Sequence, residues 1–234
     1  MTEEKRGFLP RPHIQTLSDL IFGLALSIGA ITLIGQLPTN ATEVFVAIGQ
    51  YGFSFLILVS VWRSYSNIMS VLPVESNALI DLNIILLFLV SIEPYLFYQV
   101  LVFANENWNA VSTAFALDLG LMYLILAFFF NTLANGEKKL VPSGLLKKFR
   151  ASRNKMLIAS ALFFISMAPI FYSIVAFSFP VEGGNKNMPV RGALWISVLF
   201  LNLLMRGAEN LWSRIKKFRL NRIRSCSQLL TFLS

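Results

Sequence analysis

One cysteine, one histidine and twelve acidic residues are all that 234 positions offer to most kinds of site chemistry. The lone Cys226 excludes an internal disulfide and a cysteine-built metal cluster. The lone His13 has no His-x-x-x-His or Cys-x-x-Cys companion, so no zinc site is expected. His13, Ser18 and Asp19 are residue types of a hydrolytic triad, but no nucleophile elbow surrounds them. Gly183-Gly184 and Gly207 are too isolated to cradle a phosphate. These absences argue against an enzyme and imply no cofactor. Charge is scarce too: 14% of residues carry one, against about a quarter in a soluble domain. No short apolar region with a small-residue cleavage site opens the chain, so no cleaved signal is expected.

Apolar residues fill the space instead. They make up 56% of the chain, with 21 phenylalanines and a mean hydropathy of +0.65. They come in six blocks, at 17–36, 43–68, 77–103, 109–134, 154–179 and 189–213. Each is long enough to cross a hydrocarbon core of ~30 Å at about 1.5 Å per residue. The expected fold is therefore an all-α membrane protein of six transmembrane helices. An arm, 1–16, precedes the six-helix domain of 17–213, and a basic tail, 214–234, follows it. Turn residues fill the short connectors: Leu37-Pro38-Thr39-Asn40, Asn105-Glu106-Asn107 and Glu182-Gly183-Gly184-Asn185. Only the 135–153 connector is long; it is basic and broken by Pro142 and Gly144.

A net charge of +8 would suit nucleic acid, but the placement of the charges excludes that partner. Eighteen of the twenty basic residues fall in the arm, the end of block two, the 135–155 region and the stretch from 206 onward. The opposite side has only Lys186 and Arg191. Cytoplasmic loops retain positive charge, so both termini are expected in the cytoplasm. From Trp212 the tail sets Ile215, Phe218 and Ile223 among six basic residues. It reads as a helix continued into the headgroups, against anionic lipid.

Block one is the most informative. At about 100° per residue, Leu17, Leu20, Leu24, Ile28 and Ile31 fall within about 80° of one another. Beside this bulky stripe runs a strip of Gly23, Ser27 and Ala30, where helix backbones can approach closely in lipid. Several copies ringed about an axis would turn the stripe into apolar constrictions that gate by dewetting. An ordinary lipid-facing or buried face has the same periodicity, and the pattern alone leaves both open.

Leu17-Ser18-Asp19, then Trp62, then Asn83 and Pro94, resembles the transmembrane protein 175 family of potassium channels. That family opens on Arg-x-x-x-Phe-Ser-Asp; Ser18 and Asp19 match, Leu17 replaces the Phe, and His13 takes the Arg position with Arg11 nearby. The family's Trp-x-x-His is Trp62-Arg-Ser-Tyr65 in this chain, and its Asn, apolar run and Pro match Asn83 through Pro94. The motifs cover roughly residues 13–100. The resemblance implies a homotetramer of six-helix subunits with the first helices lining a K+ pore. It places the main hydrophobic constriction at Leu24, further layers at Ile28 and Ile31, and a hydroxyl at Ser27. It also implies a supporting network of His13, Ser18, Asp19, Trp62 and Asn83. Single-repeat members of this length are prokaryotic, which implies a prokaryotic cell membrane.

Four other features draw attention. Gly49-Gln50-Tyr51-Gly52 superficially resembles a carbonyl-type potassium filter, but it opens a spanning helix, where no such filter can form. Asn40-Ala41-Thr42 is a glycosylation sequon, relevant only in a glycosylating host. Asp81 and Asp118 read as buried structural partners, and Glu93 as an outer-end hydrogen-bond partner or a proton or cation site. The competing function is a proton-coupled or small-solute secondary transporter; no inverted repeat is evident, and the acidic residues favour helix ends.

Overall fold

The computed structural model describes residues 11–31, 40–72, 77–102, 108–134, 143–181 and 184–200. Five long helices lead: α1 (Arg11–Ile31), α2 (Ala41–Met69), α3 (Asn77–Val102), α4 (Trp108–Ala134) and α5 (Ser143–Ser166). The one-turn α6 (Ile170–Ser173) and the strands β1 (Val175–Val181) and β2 (Gly184–Pro189) come next. A short apolar helix, α7 (Val190–Phe200), closes the described chain. Residues up to Ile196 form one compact unit; of the other, Ser197–Ser234, only the end of α7 is described.

Helices α1 to α4 are long and apolar enough to cross a membrane. They supply four of the six expected spans and make this an integral membrane protein. Asn40 starts α2: its side-chain oxygen accepts from the Glu43 N–H at 2.9 Å, satisfying one of the helix's first unpaired donors. The sequon asparagine is thus also a helix cap. Pro94 lies within α3, and the helix runs on to Val102. The core follows α4, where Phe115, Leu119, Met122, Tyr123, Leu126, Phe129 and Leu133 are all fully enclosed. Gly120 lets α5 come close: a Cβ there would sit 2.9 Å from the Phe164 ring. The Ser160 hydroxyl donates to the Gly120 carbonyl at 2.8 Å.

The region after residue 135 departs from expectation. Block five is not one helix over 154–179: α5 starts eleven residues earlier, at Ser143, and stops at Ser166. Gly144 sits in its first turn and does not break it, since a glycine costs a helix only about 1 kcal/mol of backbone entropy and keeps its N–H. Pro169 ends the helical run, because its ring clashes with the carbonyl four residues back and it has no N–H. The β-branched and aromatic residues that follow pair as an antiparallel hairpin, Val181 opposite Gly184 and Phe177 opposite Met188. The described fold is helical, as expected, apart from this one hairpin. Block six begins as α7; its part beyond Phe200 and the basic tail lie outside the described residues.

Arg191 locks the ends together. It is fully buried, and its Nε donates to the Ser166 carbonyl at 2.8 Å. One terminal nitrogen reaches Asn109 Oδ1, Ser112 Oγ and Thr113 Oγ1 at 3.0, 2.6 and 3.1 Å on α4. The other reaches the Met167 carbonyl at 3.1 Å. Two of the acceptors are carbonyls that α5 leaves exposed at its C-terminus, where the helix dipole favours a cation. Trp108 lies 6.0 Å from the guanidinium carbon and stacks on both Tyr172 and Trp195. Arg191→Lys keeps the charge but not the planar fork. It should destabilise the protein by about 2–3 kcal/mol, read as a lower thermal midpoint in detergent; an unchanged midpoint would remove Arg191 from this role.

Candidate functional site

Helix α1 has two chemically distinct sides. Ser18, Phe22, Ala25 and Gly29 recur every three or four residues and are buried. This face packs on α2 and α3. Toward the C-terminal end the approach is close: a Cβ at Gly29 would lie 3.4 Å from the Tyr51 ring, and the Tyr51 hydroxyl donates to the Leu26 carbonyl at 3.5 Å. The sequence strip of Gly23, Ser27 and Ala30 is not this seat, since a Cβ at Gly23 meets nothing.

The bulky stripe faces the other way. Leu24, Ile28 and Ile31 are 59%, 38% and 60% exposed on the single subunit, and Leu17 and Leu20 are exposed with them. Ser27 is exposed beside them; its hydroxyl donates back to the Gly23 carbonyl at 2.8 Å. That bond uses the proton and leaves the oxygen as an acceptor.

Polar contacts fix the N-terminal half of α1. The Ser18 hydroxyl lies 2.8 Å from the Ile14 carbonyl and 2.6 Å from the Tyr65 hydroxyl, in a buried setting. Ser18 has one proton, and the carbonyl can only accept, so Tyr65 must donate to Ser18. The Asn83 side chain in turn hydrogen-bonds the Tyr65 hydroxyl. The bonds run in one direction from α3 through α2 to α1: Asn83 to Tyr65, Tyr65 to Ser18, Ser18 to Ile14. Phe22 packs on Tyr65 with ring centroids 5.7 Å apart. One residue along from Ser18, Asp19 Oδ1 accepts from the Trp62 indole N–H at 2.9 Å in an exposed contact.

Ser18, Asp19, Trp62 and Asn83 therefore gather at one level of the bundle as two adjoining links. Asp19 bonds Trp62, whereas Asn83 joins the Ser18 link. Tyr65, absent from the residues singled out in the sequence, is the centre of that link; its signal is its place in Trp62-Arg-Ser-Tyr65. His13 lies in the first turn of α1, and its side chain is outside the described residues.

Deeper in the subunit, Ser54 on α2 donates to Glu93 Oε1 and Oε2 at 2.9 and 3.3 Å. Both residues are buried, as is Asp118 on α4. Glu93 is nine residues short of Val102, the end of α3, about 14 Å at the helical rise. It is thus not an outer-end residue. Among the described residues, no three His, Cys, Asp or Glu side chains gather as a metal site would require.

Residues 13–94 match the sequence model of the family described as endosomal/lysosomal potassium channel TMEM175. This segment is TMEM175-like. It runs from the start of α1 to Pro94 and includes both polar links. No curated protein matches the chain. The fold is similar to that of a lysosomal potassium-selective channel TMEM175 homolog from Chamaesiphon Minutus, at 16% identity and a TM-score of 0.54. That match covers 82% of this chain and 96% of the other. It is also similar to a variant of the potassium channel MtTMEM175, solved in complex with a nanobody–MBP fusion protein, at 15% identity and a TM-score of 0.50. There it covers 93% of this chain and 96% of that one.

Tyr65→Phe and Ser18→Ala should each cost about 1 kcal/mol of stability, with a coupling of about 0.5–1.5 kcal/mol in the double-mutant cycle. Strictly additive unfolding energies would show that the two hydroxyls do not act as a unit.

Proposed function

We propose that the chain is a potassium-permeable cation channel, a homotetramer in a prokaryotic cell membrane, with α1 of each subunit at a central pore. Leu24 forms the main constriction and Ile28 and Ile31 the next layers. Closing brings these side chains together and dries the passage; opening separates them and admits water and K+. Ser27 offers its acceptor oxygen to a partly hydrated ion. Selectivity comes from a narrow, mostly apolar constriction without a cage of carbonyls. Both termini face the cytoplasm, and the basic tail meets anionic lipid. In this reading Ser18, Asp19, Trp62, Tyr65 and Asn83 hold the pore helix to its subunit, and His13 belongs to the same motif.

One observation carries the reading: α1 buries Ser18, Phe22, Ala25 and Gly29 against its own subunit and leaves its largest aliphatic side chains uncovered. The TMEM175-like sequence of the same helix supports it. In potassium-loaded liposomes, Leu24→Ala should raise basal K+ leak several-fold, while Leu124→Ala, which trims an exposed leucine on α4, should leave it unchanged. Equal leak from both variants and the parent would sink the pore assignment.

A proton-coupled transporter is the second reading, favoured by the burial of Glu93 and Asp118 near mid-membrane depth. The same vesicles separate the two. A channel passes K+ down its own gradient with no proton gradient, whereas a coupled carrier stalls without one.

A further inference from the structure

Glu93 and Asp118 are the two buried carboxyls among the described residues. Asp118 is ten residues from Trp108, the start of α4, and Glu93 nine from the end of α3. At about 1.5 Å per residue, both lie roughly 15 Å from their helix ends, near the middle of a ~30 Å hydrocarbon core. The charge of Asp118 bears on Glu93. Glu93 accepts one shared hydrogen bond from Ser54. Both oxygens of Asp118, itself 3% exposed, are buried without a hydrogen-bond partner.

Among the described residues, no cation compensates them. Arg191, the buried cation, gives its N–H groups to Asn109, Ser112, Thr113 and two α5 carbonyls. From α2, Glu93 meets Ser54; that helix's charged residues, Glu43 and Arg63, lie toward its ends. On α3, Asp81 lies near the start, Tyr95 is exposed and Tyr98 half-buried; on α1, Asp19 is engaged with Trp62. On α5 the charged residues, Lys147 to Lys155, precede Ser160, which marks the level of Gly120. Tyr123 is the other titratable group of α4 and is buried. Two ionised carboxylates enclosed together would each lose several kcal/mol of hydration and repel one another. A neutral carboxylic acid avoids both costs and gains an O–H donor.

We propose that Glu93 and Asp118 form a proton-binding site inside each subunit, occupied at neutral pH, so that at least one of the two is held as the neutral acid. The site is independent of the pore: it joins α2, α3 and α4 and does not involve the exposed stripe of α1. Because the unfolded chain gives up these protons in the ordinary carboxylate range, stability falls as pH rises above that range and stops falling once the folded site empties.

Infrared spectroscopy of the full chain in a maltoside detergent, which carries no carbonyl of its own, reads the site directly. Of the twelve acidic residues, those in water are ionised at neutral pH and contribute only carboxylate bands. The parent protein should show an added protonated-carboxyl C=O stretch at neutral pH, lost in the double variant Glu93→Gln, Asp118→Asn. The thermal midpoint of the parent should fall as pH rises from about 5, just above the ordinary carboxylate range, with a smaller fall in Asp118→Asn alone. Absence of the stretch in the parent overturns the proposal, and this needs no variant to fold. A stretch that survives in the double variant overturns it equally, because the proton then resides elsewhere.

Discussion

The short bond between the Tyr65 and Ser18 hydroxyls sets the rotation of α1, and the functional reading depends on that rotation. A helix in lipid gains little from apolar contact, because lipid tails are as apolar as leucine. Its orientation must come from close packing and from polar groups that have no better partner than each other. Ser18 and Asn83 reach Tyr65 from two different helices. A turn of α1 that withdrew Ser18 would leave the buried Tyr65 O–H without its acceptor, at a cost of about 1–3 kcal/mol. Gly29 against Tyr51 fixes the other end by shape. With both ends held, the uncovered face of α1 is the one carrying Leu24, Ile28 and Ile31.

Arg191 does comparable work at the far side of the unit by another route. Its acceptors are amide, hydroxyl and carbonyl oxygens with no carboxylate among them. The charge is accommodated by dipoles, chiefly those of a helix C-terminus. That arrangement explains how α5 can stop at Ser166 and the chain bend into a hairpin without leaving its last carbonyls unpaired. It also gives Arg191 a role that a lone basic residue at the head of an apolar block does not suggest.

Four spans are readable from block length and composition, and the stripe of α1 from its period. What period cannot assign is the direction of that stripe, because an exposed face and a buried face repeat alike. The seat of the helix, Ser18, Phe22, Ala25 and Gly29, is hidden because it mixes a polar, an aromatic and two small residues. The obvious small-residue strip lies elsewhere. Block five misleads for a different reason: Pro169 lies within a run whose average hydropathy is high enough to mask it. The stretch Glu182-Gly183-Gly184-Asn185 would serve equally well as a connector between two helices or between two strands, so its composition does not separate the two. Glu93 and Asp118 are visible singly, and only the antiparallel packing of α3 and α4 brings them to one depth.

The one-way order of the bonds at Tyr65 restricts what chemistry that position can accept. Its side chain must take a hydrogen bond from the Asn83 amide and pass one on to the Ser18 oxygen. A phenol does both, and so does a neutral imidazole, with one nitrogen receiving and the other giving. A protonated imidazole or an ammonium group can only give, and would break this order by requiring the Asn83 amide to turn and present its otherwise unpartnered oxygen. Tyrosine where the family pattern has histidine thus keeps the relay while removing its sensitivity to acid.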